Sequence, residues 1–201
     1  LRTPFVSAVR VALLPQWLRA SPTRHRQVQM ERIEATGDVQ LEAFARGDID
    51  AGFMLHSPGF APEGLSHRRV AREPLVLAVP QAHPLAAASR VPLAAVLGEP
   101  LVIFPRRIVP SLHDAVFGMY HATGREPRVA QEAIQMQTIV NLVSAGLGLA
   151  WVPESVRQFQ REGVVYRELG GGKGRAIPAC ETTLVWATPS PTLERFVECA
   201  P

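Results

Sequence analysis

Five short stretches join anion-holding side chains to a turn into a helix: Ser7-Ala8-Val9-Arg10, Thr36-Gly37-Asp38, Phe104-Pro105-Arg106, Pro110-Ser111-Leu112 and Gln135-Met136. The first N–H groups of a helix have no partner within it, and its dipole favours negative charge there. Hydroxyls on Ser7 and Thr36, guanidiniums on Arg10 and Arg106, and the Gln135 amide supply further donors. Ala8, Gly37, Phe104, Pro105, Pro110, Leu112 and Met136 supply apolar walls or close backbone approach, a combination that suits an organic acid. The chemistry is recognition without bond making. Each residue also has a plainer use. Ser7, Thr36 and Gln135 can cap their helices, Arg10 and Arg106 can be solvated, and Phe104 and Met136 can be packing.

Bond-making chemistry finds no comparable support. Gly146-Leu147-Gly148 opens like a dinucleotide fingerprint, but Trp151 stands at the third glycine position and the segment follows a helix instead of opening one. Gly170-Gly171-Gly172-Lys173-Gly174 fails as a phosphate loop, with Arg167 in place of its first glycine and Gly174 where Ser or Thr should follow the lysine. It reads as a connector. The six histidines, His25, His56, His67, His83, His113 and His121, form no HxxxH or HExxH pattern, and His113 and His121 read as surface residues. No Gly-x-Ser-x-Gly elbow is present. No cofactor, metal or catalytic residue is expected.

The elements that must position these residues alternate. Residues 1–6 read as a strand, 9–20 as a helix, 27–33 as a strand, then a helix opening at Thr36-Gly37-Asp38 and stopped by Gly47, then a strand over 50–55. Asp38 is the expected N-cap, with Val39, Ala43 and Phe44 as the inward stripe. Strand, helix, strand, helix, strand implies parallel pairing through right-handed crossovers. Further on, 73–80 is an apolar strand between prolines, 93–97 a short helix, and 101–104 a strand. A helix over 110–122 with Leu112, Val116 and Tyr120 inward is followed by a strand over 129–133. A helix from Gln135 ends at Gly146 and Gly148, both assigned to its cap and turn, and the apolar run 147–152 is a strand. Strands over 164–167 and 182–187 and a helix from Thr192 complete the chain.

With 201 residues, 47% hydrophobic and 19% charged, the chain can bury a core in one domain or two lobes. Its 21 basic and 18 acidic residues are interspersed, so no basic patch suggests nucleic-acid binding by this piece. Nothing approaches the roughly 20 apolar residues of a membrane helix. Cys180 and Cys199 read as two thiols in a reducing compartment. Starting at Leu1 with no signal sequence, the chain reads as a fragment of a cytoplasmic protein.

Several motifs in order resemble the effector-binding domain of LysR-type transcriptional regulators across essentially the whole chain. They are Phe5-Val6-Ser7 with Leu13-Leu14-Pro15, Glu34 followed by Gln40-Leu41, and the run Gly47-Asp48-Ile49-Asp50-Ala51-Gly52-Phe53. To these add Glu73 to Pro80 with His83-Pro84-Leu85, and Gln137-Thr138-Ile139-Val140 through Ala145-Gly146-Leu147-Gly148 to Val152-Pro153-Glu154-Ser155. Phe104-Pro105, Gln131-Glu132 and Val164-Val165-Tyr166 are similar to the subgroup that senses aromatic compounds and their ring-cleavage acids. Relatives of that kind carry hydroxyl residues where this chain has Ala8 and Gly37 and a basic residue where it has Leu55. Each lost group removes about 0.5–3 kcal/mol of ligand hydrogen bonding, so a less polar or differently placed acid than a muconate is expected.

The resemblance implies an α/β fold of two Rossmann-like lobes with an inter-lobe cleft, of the type II periplasmic-binding-protein kind. Residues 1–71 with 177–201 would form regulatory lobe I and 72–176 regulatory lobe II. It also implies a small-molecule effector, a carboxylate, held in the cleft, assembly as a homodimer or tetramer, and DNA binding only through an N-terminal winged helix-turn-helix not present in this chain. No membrane partner is implied. Two rivals stay open: a free-standing solute-binding protein, which residues preceding Leu1 would decide, and an enzyme on the same fold, which turnover of a bound ligand would decide.

Overall fold

In the computed structural model, residues 2–5, 31–170 and 177–198 are described. The helix expected over 9–20, the first part of the strand expected over 27–33, the loop at Gly171–Gly174, Cys199, and the site residues Ser7, Ala8 and Arg10 lie outside them. The backbone packs as two compact units, Leu1–Arg72 with Cys180–Pro201, and Glu73–Ala179.

The first unit is built on parallel strands. β1 (Arg2–Phe5) pairs in parallel with β2 (Glu31–Glu34) and with β3 (Gly52–His56). β10 (Ala179–Trp186) closes the row antiparallel to β3, from Glu181↔His56 to Val185↔Gly52. All five β3 residues are buried, as expected for a strand covered on both faces. Helix α1 (Gly37–Arg46) follows β2 and ends at Gly47, whose φ of 71° places it in the left-handed region. Its N-cap is Thr36, not Asp38, so the helix starts earlier than the sequence suggests. Ala43 and Phe44 face inward as expected, joined by Gly37 and Gln40, whereas Val39 is 48% exposed. Phe44 packs with Met54 and Val185, and Phe53 meets Phe196 of α5 (Pro191–Glu198) edge on at 6.4 Å.

β4 (Ser66–Pro80) is 15 residues long, nearly twice the apolar run visible in the sequence. Its first half is exposed, so no hydrophobic pattern marks it; charge does instead, with Arg69 and Arg72 at 3.2 and 3.7 Å from the Glu181 carboxylate. Its second half, Leu75–Pro80, is wholly buried and forms the spine of the second unit. There it pairs antiparallel with β8 (Ala150–Pro153) and β9 (Val164–Gly170), and β5 (Arg90–Pro92) adds parallel to β9. Glu73 accepts from the Ser155 N–H at 2.6 Å and its hydroxyl at 3.1 Å, tying β4 to the 3-10 turn Glu154–Phe159.

A second, two-stranded parallel sheet joins β6 (Leu101–Ile103) to β7 (Val129–Glu132). The short helix α2 (Leu93–Val96) precedes β6, and α3 (Pro110–His121) follows it. α4 (Met136–Ser144) follows β7. Leu112, Val116 and Tyr120 of α3 are at most 1% exposed, as their spacing of four predicts. The segment after α4 differs from expectation. Gly146, with φ 81°, makes the turn, but Gly148 does not have a positive φ; Leu147 is 39% exposed, and the strand begins only at Ala150. Leu149 meanwhile bridges in parallel to Leu101 and ties β6 to this segment.

Candidate functional site

In a parallel α/β layer, ligands gather where strands end and helices begin. β6 and β7 are parallel neighbours, so the residues following each emerge on one edge of the second unit. Phe104-Pro105-Arg106 leave β6 there and Gln135-Met136 leave β7 there, with the starts of α3 and α4 beside them. The Ala133 N–H donates to Ile103 O at 3.0 Å, keeping the two exits together. Pro110 sits in the first turn of α3, where a missing N–H costs nothing.

Within this edge the expected residues separate by exposure. Phe104, Leu112 and Met136 are 5%, 1% and 5% exposed, and Pro105 is also buried, so these four are closed off from solvent. Arg106, Pro110 and Gln135 are exposed. Gln135 stands at the N-cap position of α4, yet its side chain makes no capping bond. In the first unit, Thr36 and buried Gly37 lie at the end of β2, where α1 starts. Thr36 does not cap through its side chain either; its hydroxyl donates to the Asp38 carboxylate.

Arg106 is exposed but not simply solvated, because its guanidinium is engaged. Its Nε and Nη2 each donate to a different oxygen of Asp114 at 2.7 Å, a bidentate fork on the surface. The two residues are eight apart, a spacing with no helical or strand meaning, so no sequence pattern reveals the pair. The Arg106 hydrogen bond holds the Asp114 carboxyl below its ordinary value of 3.8, slight burial opposes it, and the guanidinium charge lowers it further. A folded-state value below the unfolded one means the pair's stabilisation is complete above that value and is lost as pH falls through the lowered one. The Asp114 carboxyl resonance is therefore expected to titrate below pH 3.8 in the native domain and to move upward in Arg106→Ala. A native midpoint at or above 3.8 would contradict the fork.

His113 is a second departure, buried where a surface residue was expected. Its ring stacks on Phe117 at 4.1 Å and meets Phe104 edge on at 6.2 Å, which fixes the exit of β6 against α3. Its Nδ1 makes no hydrogen bond and lies 3.6 Å from Asp114 Oδ1. Gln40, which the sequence marks only as part of a family motif, has a structural role that the motif does not reveal. It is 1% exposed, and its Nε2 donates to Ala35 O at 2.9 Å and Phe53 O at 3.1 Å, anchoring the residues before Thr36 to β3. Its position three after Gly37 and four before Phe44 was the available signal. Among the described residues no group of three or more His, Cys, Asp or Glu could hold a metal ion, and no helix is long and apolar enough to cross a membrane.

The model of the LysR substrate binding domain matches residues 3–200. The chain belongs to this family. It is 42% identical over 193 residues to the HTH-type transcriptional regulator IlvR of Caulobacter vibrioides, covering 94% of this chain and 63% of that protein. Full-length CbnR complexed with its target DNA is 26% identical, with TM-score 0.79, covering 100% of this chain and 68% of that one. The BenM effector-binding domain with benzoate matches with TM-score 0.78 at 24% identity, covering 100% and 89%. The fold of this LysR domain is thus the mixed α/β, type II periplasmic-binding-protein-like fold of LysR effector-binding domains. The chain spans less than two thirds of the length of IlvR, the transcriptional regulator to which it is similar.

Proposed function

We propose that this domain senses a small organic acid, an aromatic one among the candidates, and passes the change to a DNA-binding domain elsewhere in the full protein. The observation that carries the reading is the family match over residues 3–200. The strand-end edge of the second unit offers the Arg106 guanidinium and the Gln135 amide as donors for such an acid. The Thr36-Gly37 turn of the first unit, taken by itself, opens a helix whose first N–H groups favour an anion. The full protein would work in the cytoplasm as a dimer or tetramer, touch DNA only through that other domain, and catalyse nothing.

A thermal-shift screen of aromatic and aliphatic carboxylates identifies ligands, since a compound at 100 times its Kd adds about 2.7 kcal/mol. Against the best binder, calorimetry should show Arg106→Ala weakened by about 10- to 100-fold, the worth of a charge-assisted hydrogen bond. Thr36→Val should weaken it by about fivefold, the worth of a neutral one. Both side chains contribute little to the core, so the melting curves should stay close to wild type. Unchanged affinity in both variants removes the proposed site.

A further inference from the structure

We infer that Asp114 is a built-in stand-in for the carboxylate of the ligand, occupying Arg106 until an acid displaces it and thereby setting the threshold for binding. The inference rests on the reading of Arg106 as a ligand contact. A bidentate guanidinium fork is the geometry by which arginine takes any carboxylate, internal or external. Here both donors of the fork already face Asp114 oxygens at 2.7 Å.

Three features make the contact displaceable. The side chains of Arg106 and Asp114 are 63% and 50% exposed, so the pair is held by no surrounding packing and an incoming acid can reach it. Arg106 lies on the loop leaving β6, whereas Asp114 is on α3, so Arg106 can turn away without unwinding the helix. Finally, Asp114 has another partner at hand. His113 Nδ1, buried and without a hydrogen bond, is 3.6 Å from Asp114 Oδ1, and as the N–H tautomer it can donate to the carboxylate that Arg106 releases. An acid that binds must outcompete Asp114 and tolerate its charge nearby, so neutral analogues would gain nothing from the fork.

The test uses benzoate as a carboxylate probe, benzamide as its neutral counterpart, and the side-chain Nε–H resonance of Arg106 as the readout. In Asp114→Asn the resonance should respond to benzoate at about fivefold lower concentration than in wild type, the upper end for an exposed ion pair. Benzamide should move it in neither protein. Asp114→Ala, checked for folding by circular dichroism, should behave like Asp114→Asn. Equal benzoate response in wild type and both variants overturns the stand-in while leaving Arg106 a ligand contact. No response of Arg106 to about 50 mM benzoate in Asp114→Asn, a concentration far above a micromolar Kd, overturns both readings.

Discussion

Replacing Gly148 with alanine is expected to destabilise the domain by about 2–3 kcal/mol, the cost of forcing a methyl group into filled space. A Cβ at this position would stand 2.5 Å from Pro100 O and 2.8 Å from Pro100 C. Both are backbone atoms and cannot rotate away. Pro100 O also accepts from Leu149 N at 2.8 Å, and Leu149 O accepts from Val102 N at 2.8 Å, so the strain falls on the bridge that fixes β6. In a domain of this size the melting temperature should drop by about 4–12 °C. Gly118→Ala is the matched control: nothing lies within 4 Å of its Cβ, and it sits inside α3, where alanine is favoured over glycine by about 0.5–1 kcal/mol. If Gly148→Ala melts like wild type while Gly118→Ala is stabilised, the close approach of Pro100 is wrong. Because β6 delivers Phe104 and Arg106, Gly148→Ala should also loosen carboxylate binding at unchanged Arg106 chemistry.

That glycine also shows what the sequence could and could not reveal. A helix, a Gly-x-Gly turn and an apolar run are legible from residue types, and they place α4 and β8 within a few residues. The separate jobs of the two glycines are not legible. Gly146 answers a local backbone demand, a positive φ, whereas Gly148 answers the approach of Pro100 from 48 residues away in the chain. The same division runs through the molecule. Apolar periodicity found the inward face of α3, because burial there is set by spacing of four. On α1 it found Ala43 and Phe44 but not the rest of the face: polar Gln40 is inward and apolar Val39 is not, because Gln40 donates to the carbonyls of Ala35 and Phe53. It failed on the first half of β4, whose partners are charges, not a core.

For the site, the strand-to-helix junctions were legible because glycine, proline and small polar residues mark them. The partners that decide what a junction can hold were not. Arg106 shows its pairing only when Asp114 is seen across the fork, and the partner of Phe104, whose packing use the sequence allows, is His113 edge on. Pairs formed across a loop and a helix leave no periodic trace, so a single sequence carries the donors of a site more readily than their occupancy.

Gln40→Ala is expected to cost about 3–4 kcal/mol, the largest effect of any single polar substitution considered. Truncation leaves a cavity beneath α1 and removes the two hydrogen bonds that Gln40 Nε2 donates, to Ala35 O and Phe53 O, at about 0.5–1.5 kcal/mol each. The side chain also explains Gly52. A Cβ there would overlap Gln40 Oε1 and touch Phe44 Cε2 at 3.4 Å, so Gly52→Ala alone should cost about 1–3 kcal/mol through overpacking. In the Gln40→Ala background that overlap disappears and the new methyl fills part of the hole. The double variant should therefore be more stable than the sum of the single effects by about 1–3 kcal/mol, within the range seen for residues in contact. Urea unfolding of the four proteins measures the coupling, and strict additivity would mean the two residues do not meet. The consequence reaches the Thr36-Gly37 turn, because Gln40 holds Ala35 O and with it the entry to α1. Loss of Gln40 should therefore weaken acid binding beyond what Thr36→Val removes, even at temperatures where the variant is fully folded.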